Sequence, residues 1–206
     1  GLEMTYAHPL FSHFIKQGIT HCDRVAVISK NTKEIAASAG VPLQKLRLIY
    51  PGIKPLPLAE ERYQLLKKRF EAEYGICFGQ DRILLNYGRQ VRRKGLAAFL
   101  QKGMPLLEKD IKLFIGGKGP ELARLHSLRT ELGLQNQVVL LGWIDDETIA
   151  MLQGEADLFF MPNIHIPNDV EGFGIAPLEC MFAGLPVVAF AVDALPESIR
   201  EHGYLI

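Results

Sequence analysis

The chain has 206 residues, of which 48% are hydrophobic, a share that supports a buried core and excludes a disordered polypeptide. Lysine and arginine together number 23, as do aspartate and glutamate, so no overall field favours nucleic acid or an anionic membrane as a partner. Three scattered cysteines fit neither a disulfide framework nor a zinc site, and no apolar run could span a membrane, so we expect a cytoplasmic protein with at most peripheral membrane contact.

The first quarter of the chain predicts a small α/β piece that ends in a linker. Residues 24–29 are typical of a strand, a helix follows, and residues 46–53 predict a second short strand. The proline-spaced segment at 54–60 is typical of a linker. We therefore predict one domain piece at 1–54 and a larger domain at 55–206.

Short apolar segments alternate with helical segments through the larger domain, after a charged helix at 59–74. The predicted strands cover residues 82–88, 111–117, 137–143, 157–163 and 186–190, and the helices between them begin at Lys94, Pro120, Asp145 and 174–176. This alternation predicts an α/β fold with a doubly wound, Rossmann-like parallel sheet that is covered on both faces. Ligands of such sheets bind at the carboxyl ends of the strands.

The segment 169–186 carries the strongest functional pattern, because it places Glu171 and Glu179 eight positions apart around a glycine-rich turn. Gly172 and Gly174 allow a ligand to approach the backbone closely. The carboxylates would repel a phosphate, so we expect them to accept hydrogen bonds from hydroxyl groups on either side of one. A capping residue and a solvated helix face also explain this spacing, and that alternative stays open.

A helix begins directly after this turn. Pro177 is tolerated only in a first helical turn, which places the helix start at residues 174–176. The unpaired amides of such a start, with the positive end of the helix dipole behind them, form an anion site that phosphate usually occupies. Together with the two glutamates, this pattern suggests a sugar nucleotide as the ligand.

The loop after the first strand of the large sheet is basic. It begins at Gly88, and Arg89 and Lys94 could reach across it to a diphosphate, the arginine as a fork and the lysine as a point charge. A solvated basic turn explains these residues equally well. Arg92 and Arg93 could contact an acceptor phosphate, but we expect both to be solvated.

Three further features lie in the loops that follow. The glycine-rich turn at 116–120 suggests dinucleotide binding, but Leu122 holds the last glycine position of that fingerprint. The lysine-serine pair of a P-loop is also missing, which argues against both an NAD enzyme and a P-loop ATPase. Trp143, the only tryptophan, could stack on a base or pack at the strand end. His165 and Asn168 could line the site, but solvation is the preferred interpretation.

Metal ligands are not evident in the sequence. None of the six histidines has metal-ligand spacing, and we expect Asp145 and Asp146 to cap a helix and not to hold a divalent ion. We therefore predict a metal-independent site without a cofactor, in which Arg89, Lys94 and the helix start replace a cation.

Together these motifs resemble the retaining glycosyltransferases of family four, which have the two-domain GT-B fold. The resemblance rests on Glu171 and Glu179 with the Ala-Gly-Leu-Pro tail at 183–186, and on the Gly-Arg, four residues, Lys-Gly phrase at 88–95. The early strand that ends in Pro-Gly-Ile is similar to the end of the N-terminal domain in that family. The resemblance implies a donor-binding C-terminal domain that carries a remnant of the acceptor domain and is cut short at its own C-terminus.

The resemblance also implies roles for individual residues. Arg89 and Lys94 would neutralise the leaving diphosphate, and Glu171 would touch the donor sugar, so these three are the predicted catalytic residues. Glu179 would bind the ribose, while the glycine turn after the second strand and the turn after the third would line the pocket of the nucleotide and its base. The predicted donor-binding residues are Gly88, Gly117, Gly119, Trp143, Ile144, Gly172, Phe173, Gly174, Ile175, Ala176 and Glu179.

The reaction that the resemblance implies is the transfer of a hexose from a GDP- or UDP-linked donor to a hydroxyl group, with retention of the anomeric configuration. The acceptor would be a saccharide or a lipid-linked molecule, and the rest of an N-terminal domain would complete the enzyme. A non-catalytic nucleotide-sugar-binding or regulatory module is the alternative function. A Rossmann oxidoreductase is a weaker third possibility.

Overall fold

The computed structural model describes residues 9–206, and the first part of these residues forms a small two-stranded unit. The portion of the predicted N-terminal piece before residue 9 lies outside the described residues. Helix α1 (Pro9–His21) precedes strand β1 (Val25–Val27), helix α2 (Lys30–Ser38) and strand β2 (Leu46–Leu48). The two strands pair in parallel and are shorter than the sequence predicts.

Ser29 connects β1 to α2 and fixes the start of that helix. Its hydroxyl accepts a hydrogen bond from the amide of Thr32, and the Thr32 hydroxyl accepts one from the amide of Ser29, which is a capping box. Val27 and Leu46 pack beneath α2 in a small core of this unit. Residues 49–59, which include most of the predicted linker, contain neither helix nor strand.

A six-stranded parallel sheet is built from the rest of the chain. Its strands are β3 (Arg82–Tyr87), β4 (Ile111–Gly116), β5 (Val138–Gly142), β6 (Leu158–Met161), β7 (Val187–Ala189) and β8 (Tyr204–Leu205). They lie in the order β5-β4-β3-β6-β7-β8, and every neighbouring pair is parallel. The helices of this part are α3 (Glu60–Tyr74), α4 (Leu96–Lys102), α5 (Leu122–Glu131), α6 (Asp146–Glu155), α7 (Ile175–Phe182) and α8 (Leu195–Ile199).

Helices cover both faces of this sheet, which confirms the predicted doubly wound α/β fold. On one face α4 and α5 pack on the strands around Leu100 and Leu113. On the other face α3, α6, α7 and α8 surround a core that includes Phe70 and Met151. Because both faces are covered, β3 and β4 are apolar along most of their length. No helix in the described part of the chain has the length and apolar character needed to cross a bilayer.

Some element boundaries differ from the prediction where a turn or a proline intervenes. The helix predicted to begin at Lys94 begins at Leu96, because a single 3₁₀ turn (Arg92–Lys94) precedes it. The strand predicted for 157–163 ends at Met161, because the proline that follows has no amide hydrogen for a further ladder bond. The other predicted elements lie where the sequence places them, with their ends shifted by a few residues, whereas α1, α8 and β8 are not predicted from the sequence.

Candidate active site

The sheet order reverses between β3 and β6, and the loops that follow these two strands meet at their carboxyl ends. To one side of this point the strands follow the chain as β3, β4 and β5, and to the other side as β6, β7 and β8. Open parallel sheets bind ligands in the crevice at such a point. The amide of Ile164 donates a hydrogen bond of 2.8 Å to the carbonyl oxygen of Arg93, which joins loop 162–174 directly to loop 88–95.

Glu171 is the centre of a buried polar cluster between these loops. Its Oε2 accepts hydrogen bonds from Lys94 Nζ at 2.7 Å, from Arg93 Nη1 at 3.1 Å and from Asn163 Nδ2 at 3.1 Å. The side chains of Lys94 and Glu171 are each only 10% exposed. Among the described residues none donates to the second oxygen, Oε1, which solvent can still reach. The carboxylate is therefore anchored through one oxygen and open to a ligand through the other.

Arg93 extends this cluster to a second carboxylate. Its Nε lies 3.2 Å from Asp169 Oδ1, which is an ion-pair distance without hydrogen-bond geometry. The expectation that Arg93 is solvated is wrong, because its side chain is only 15% exposed and is paired with both Asp169 and Glu171. Consecutive basic residues are usually solvated, but here the 3₁₀ turn directs Arg93 and Lys94 inward.

The charges around Glu171 decide its protonation. Burial acts to raise the pKa of Glu171, but the positive charges of Lys94 and Arg93 outweigh burial and hold that pKa below its ordinary value. Burial lowers the pKa of Lys94, and the Glu171 carboxylate opposes that shift. The cluster therefore keeps Glu171 ionised, as an acceptor of hydrogen bonds.

Asp193, from the loop before α8, holds the backbone of Glu171. Its Oδ2 accepts a hydrogen bond of 2.8 Å from the Glu171 amide, and its Oδ1 lies 3.3 Å from His165 Nδ1. The Asp193 side chain is 5% exposed and its φ is 54°. His165 and Asn168 are exposed, as expected, and His165 reaches the site through Asp193. Asp193 thus orients the start of the glutamate-containing turn.

Two glycines allow the loops to lie in close contact. A Cβ on Gly95 would lie 1.8 Å from the carbonyl oxygen of Pro162, so glycine is required where loop 88–95 rests on the end of β6. A Cβ on Gly117 would lie 1.9 Å from the carbonyl oxygen of Gly88. Both glycines have positive φ, of 69° and 113°. Loop packing is therefore one reason for Gly117, which the sequence associates only with ligand approach.

Gln90 fastens the loop of Gly88 to the glycine-rich turn after β4. Its Nε2 donates to the carbonyl oxygens of Gly88 at 3.0 Å and Gly116 at 2.8 Å. Its backbone amide donates to the carbonyl oxygen of Lys118 at 2.9 Å. A Cβ on Gly119 would lie 2.1 Å from the Gln90 carbonyl oxygen. The two turns therefore form one connected backbone surface.

Glu179 lies on α7 and faces the end of β3. The Tyr87 hydroxyl donates to Glu179 Oε2 at 2.9 Å, and Gln153 Nε2 donates to the Tyr87 hydroxyl at 2.7 Å. Glu179 is half-buried, and no cation among the described residues forms an ion pair with it. Its surroundings therefore differ from those of Glu171, which faces two cations.

The start of α7 presents amides that no side chain caps. Gly174 is the N-cap residue, with a φ of 83°. Within the described residues, the amides of Gly174, Ile175 and Ala176 donate to no acceptor. Phe173, in the same turn, is buried, and its ring centroid lies 5.4 Å from that of Tyr50. A helix start of this kind can bind an anion.

The predicted residues fall into two groups in the structure. The loops and the α7 start bring together Gly88, Arg89, Lys94, Gly117, Gly119, Glu171, Gly172, Phe173, Gly174, Ile175, Ala176 and Glu179. Ile144 covers the end of β4 at Gly116, and with Trp143, which is 67% exposed, it lines a separate cleft of about 320 Å³ beside α3. Arg89 and Arg92 are exposed, and neither pairs with a carboxylate of the described residues.

The described residues contain no evident metal site, and a cavity of about 560 Å³ lies away from the crevice. Among the described residues, no group of three or more histidine, cysteine, aspartate or glutamate side chains is placed to hold a metal ion. Asp145 caps α6 by accepting a 2.8 Å hydrogen bond from the amide of Thr148, as predicted. The cavity lies beside α7 and β8, at Phe182 and Tyr204.

Besides Arg93, four residues that hold the site are not predicted from the sequence. Tyr87 is the last residue of β3, Asn163 follows β6 closely, and Gln90 lies in the loop after β3. A polar side chain at the carboxyl end of a buried strand is a usable signal for the first three. Asp193 gives no such signal, because it lies 22 positions beyond Glu171.

Comparisons with known proteins identify a family and related sequences. Residues 71–206 match the family described as glycosyl transferases group 1. An uncharacterized glycosyltransferase of Methanocaldococcus jannaschii is 33% identical over 182 residues, which cover 87% of this chain and 45% of that protein. The GDP-mannose-dependent alpha-(1-6)-phosphatidylinositol monomannoside mannosyltransferase of Mycolicibacterium smegmatis is 32% identical over 184 residues, covering 87% and 47%. The chain spans about half the length of these relatives.

The architecture also matches solved structures. Anabaena HepE in complex with UDP-glucose superposes with a TM-score of 0.79, over 100% of this chain and 56% of the other. The sequences are 20% identical, so this likeness shows a shared fold and nothing about ligands.

Proposed function

Because the chain belongs to the glycosyl transferases of group 1, we propose that it is the donor-binding half of a retaining hexosyltransferase of family four. Its sheet order and helix placement match those of the C-terminal domains of GT-B glycosyltransferases. The proposed reaction moves a hexose from a nucleoside diphosphate sugar to a hydroxyl acceptor with retention of configuration. The GDP-mannose dependence of one relative supports a nucleotide-linked hexose as the donor, and the proposal covers both GDP- and UDP-linked hexoses.

The one-sided anchoring of Glu171 is the observation that carries this proposal. Three donors hold Oε2, and Oε1 has no partner among the described residues. An ionised carboxylate accepts hydrogen bonds and donates none, so Oε1 is suited to sugar hydroxyls. Because Oε2 is already fixed, little rotamer freedom remains to be lost when the sugar binds.

The diphosphate would lie between Arg89 and the start of α7. Arg89 is exposed and supplies a fork of donors, and the uncapped amides of Ile175 and Ala176 supply two more. Lys94 has three N–H donors, so it can keep its bond to Glu171 and donate to a phosphate oxygen at the same time. These groups would stabilise the charge on the departing diphosphate, and we therefore propose a metal-independent transfer without a cofactor.

The nucleoside would lie beside the connected turns after β3 and β4. Glu179 faces this side and has no cation partner among the described residues, which leaves its carboxylate to accept from ribose hydroxyls. Gly117 and Gly119 would border the ribose and phosphates through their backbone. Ile144 covers the end of β4 and Trp143 is exposed nearby in the chain, so this turn would face the base.

The acceptor would bind to an N-terminal domain that this chain represents only in part. We assign residues 1–54 to that domain and 55–206 to the donor domain, consistent with their separate cores. Because the chain spans about half the length of its relatives, the whole enzyme would include further acceptor-binding residues. The proposed acceptor is a saccharide or a lipid-linked molecule, and the proposed location is cytoplasmic, with membrane contact where the acceptor is a lipid.

A non-catalytic nucleotide-sugar-binding module is a second candidate, because Glu171, Glu179 and the amides at the start of α7 could bind a donor without an acceptor site. Such a module would bind the same donor but would transfer no sugar. A coding sequence for a further domain directly upstream of residue 1 would favour the transferase, and an unrelated upstream sequence would favour the module.

Calorimetric titration of two glutamate variants tests the proposed site, after a thermal-shift panel of UDP, GDP and ADP sugars has selected the ligand. Glu179→Ala should weaken both the nucleoside diphosphate and the full donor, because both carry the ribose. Glu171→Ala should weaken only the full donor, because only that ligand carries the sugar. If the glutamates only cap the helix or face solvent, both variants will have a lower melting temperature, and the ratio of their affinities for the two ligands will be that of the wild type. That result would refute the proposed roles.

A further inference from the structure

Tyr87 stands at the last position of β3, and polar groups enclose its hydroxyl. The hydroxyl oxygen lies 2.9 Å from Glu179 Oε2, 2.7 Å from Gln153 Nε2 and 3.6 Å from Cys180 Sγ. The carbonyl oxygen of Ala176 lies 3.3 Å away. Tyr87 and Cys180 are buried, while Glu179 and Gln153 are half-buried.

The single proton of the Tyr87 hydroxyl has one short acceptor. A tyrosine hydroxyl donates one proton and accepts at two lone pairs. The amide nitrogen of Gln153 only donates, and the thiol of Cys180 can fill the second lone pair as a donor. The proton is therefore directed at Glu179 Oε2, with the Ala176 carbonyl as the longer alternative.

The group that donates the hydrogen bond to Glu179 is neutral. Burial, with the charge of Glu179 and the proximity of Cys180 adding to it, raises the pKa of the Tyr87 phenol, so the hydroxyl stays protonated. A neutral donor orients the carboxylate but leaves its negative charge uncompensated. Glu171 is different, because its charge is balanced by Lys94 and Arg93.

Resting on the proposed function, we infer that Tyr87 is a positioning residue for donor binding: its hydroxyl holds Glu179 Oε2 and turns Oε1 toward the ribose diol. The hydrogen-bond chain runs from Gln153 through Tyr87 to Glu179. Without that chain, Glu179 would turn freely about its side-chain bonds and would have to be ordered when the nucleotide binds. Tyr87 thus supports recognition of the ribose hydroxyls without touching the ligand.

A ribose-deletion experiment in Tyr87→Phe tests this inference. The dissociation constants of GDP and 2′,3′-dideoxy-GDP, or of the uridine pair if UDP binds more tightly, are measured by calorimetry on the 206-residue chain. The dissociation constant of the dideoxy ligand divided by that of the natural diphosphate reports how strongly the ribose hydroxyls are recognised. In Tyr87→Phe the ratio should fall about three- to tenfold, because one orienting hydrogen bond is lost, while the affinity for the dideoxy ligand stays unchanged.

Tyr63→Phe is the matched control. The Tyr63 hydroxyl also donates to a carboxylate, Glu155 Oε1, at 2.6 Å, and it is partly buried on α3. This variant should leave the ratio unchanged. If Tyr87 had only a structural role, Tyr87→Phe would weaken both ligands equally and leave the ratio unchanged, which would overturn the inference.

Two further variants keep the result decisive. If Tyr87→Phe does not fold, Gln153→Glu replaces a donor to the hydroxyl by an acceptor, so it should lower the same ratio, and an unchanged ratio overturns the inference. Glu179→Ala separates the two proposals. A ratio that falls in Glu179→Ala but not in Tyr87→Phe rejects the role of Tyr87 alone, whereas a ratio unchanged in Glu179→Ala rejects the ribose site and Tyr87 with it.

Discussion

Lys94 and Glu171 form an ion pair of 2.7 Å between the two loops at the crevice, and both side chains are almost fully buried. Such a pair is costly to break, because removal of one charge leaves the other without a partner in a medium of low dielectric. Arg93 is also bonded to Glu171, so the carboxylate would keep one cation if Lys94 were replaced.

Lys94→Met should lower the free energy of unfolding by about 1–3 kcal/mol, which is less than a full buried pair because Arg93 remains. Chemical denaturation measures this change. Lys67→Met is the control, because Lys67 pairs with Glu155 at 2.8 Å but is 26% exposed. The control should be destabilised less, and equal losses in the two variants would contradict the burial of the Lys94 pair.

The stability of the protein should depend on the ionisation of Glu171. Its folded-state pKa lies below the ordinary value of 4.5, so the unfolded chain takes up this proton more readily than the folded chain. The stabilisation is therefore complete above pH 4.5 and is lost as the pH falls through the lowered folded-state pKa. The difference in unfolding free energy between wild type and Glu171→Gln should shrink over this range, while carboxylates common to both proteins cancel. A constant difference from pH 7 to pH 3 would count against the lowered pKa.

Arg89→Ala should weaken nucleoside diphosphate binding about tenfold or more and leave nucleoside binding nearly unchanged, because a charge-assisted bond to phosphate is lost. Arg92→Ala is the control, since Arg92 is an exposed arginine of the same loop. Calorimetry with the diphosphate and the nucleoside measures both affinities. Equal losses for both ligands in Arg89→Ala would remove Arg89 from the phosphate site.

Gly95→Ala should destabilise the fold far more than Gly133→Ala. The two glycines have nearly the same φ, 69° and 66°, so the cost of a left-handed alanine, about 1–2 kcal/mol, is common to both. Only at Gly95 would the added Cβ meet another backbone atom, the Pro162 carbonyl oxygen. Thermal and chemical unfolding should show at least about 2 kcal/mol of additional loss in Gly95→Ala. Similar losses would show that the loops can separate without cost.

The alternation of apolar and helical segments was enough to predict the doubly wound sheet, because every buried strand leaves a continuous apolar run in the sequence. The positions of Glu171 and Glu179 were also predictable, since both flank one turn whose glycines and proline mark a helix start. Local patterns carry this information within a few residues.

The partners of these residues were not predictable from local patterns. The run of basic residues predicts a solvated Arg93, yet its side chain contacts Glu171, which lies 78 positions away. The packing of Gly117 against the backbone of Gly88 is a second contact that the local pattern does not predict. Such contacts depend on how two separate loops fold over the sheet. The local sequence of one loop does not indicate which distant loop it contacts.

The position of the crevice between β3 and β6 has a consequence for how the protein folds. Asn86 on β3 donates a hydrogen bond to the Phe160 carbonyl on β6, which lies 74 positions later, with β4 and β5 between them in the chain. Closing so long a segment has an entropic cost that must be met before its contacts form, which makes this pairing a contact of high sequence separation and slow assembly. The crevice is complete only after the two halves of the sheet have joined, so a ligand bound there stabilises the whole sheet and not one local segment.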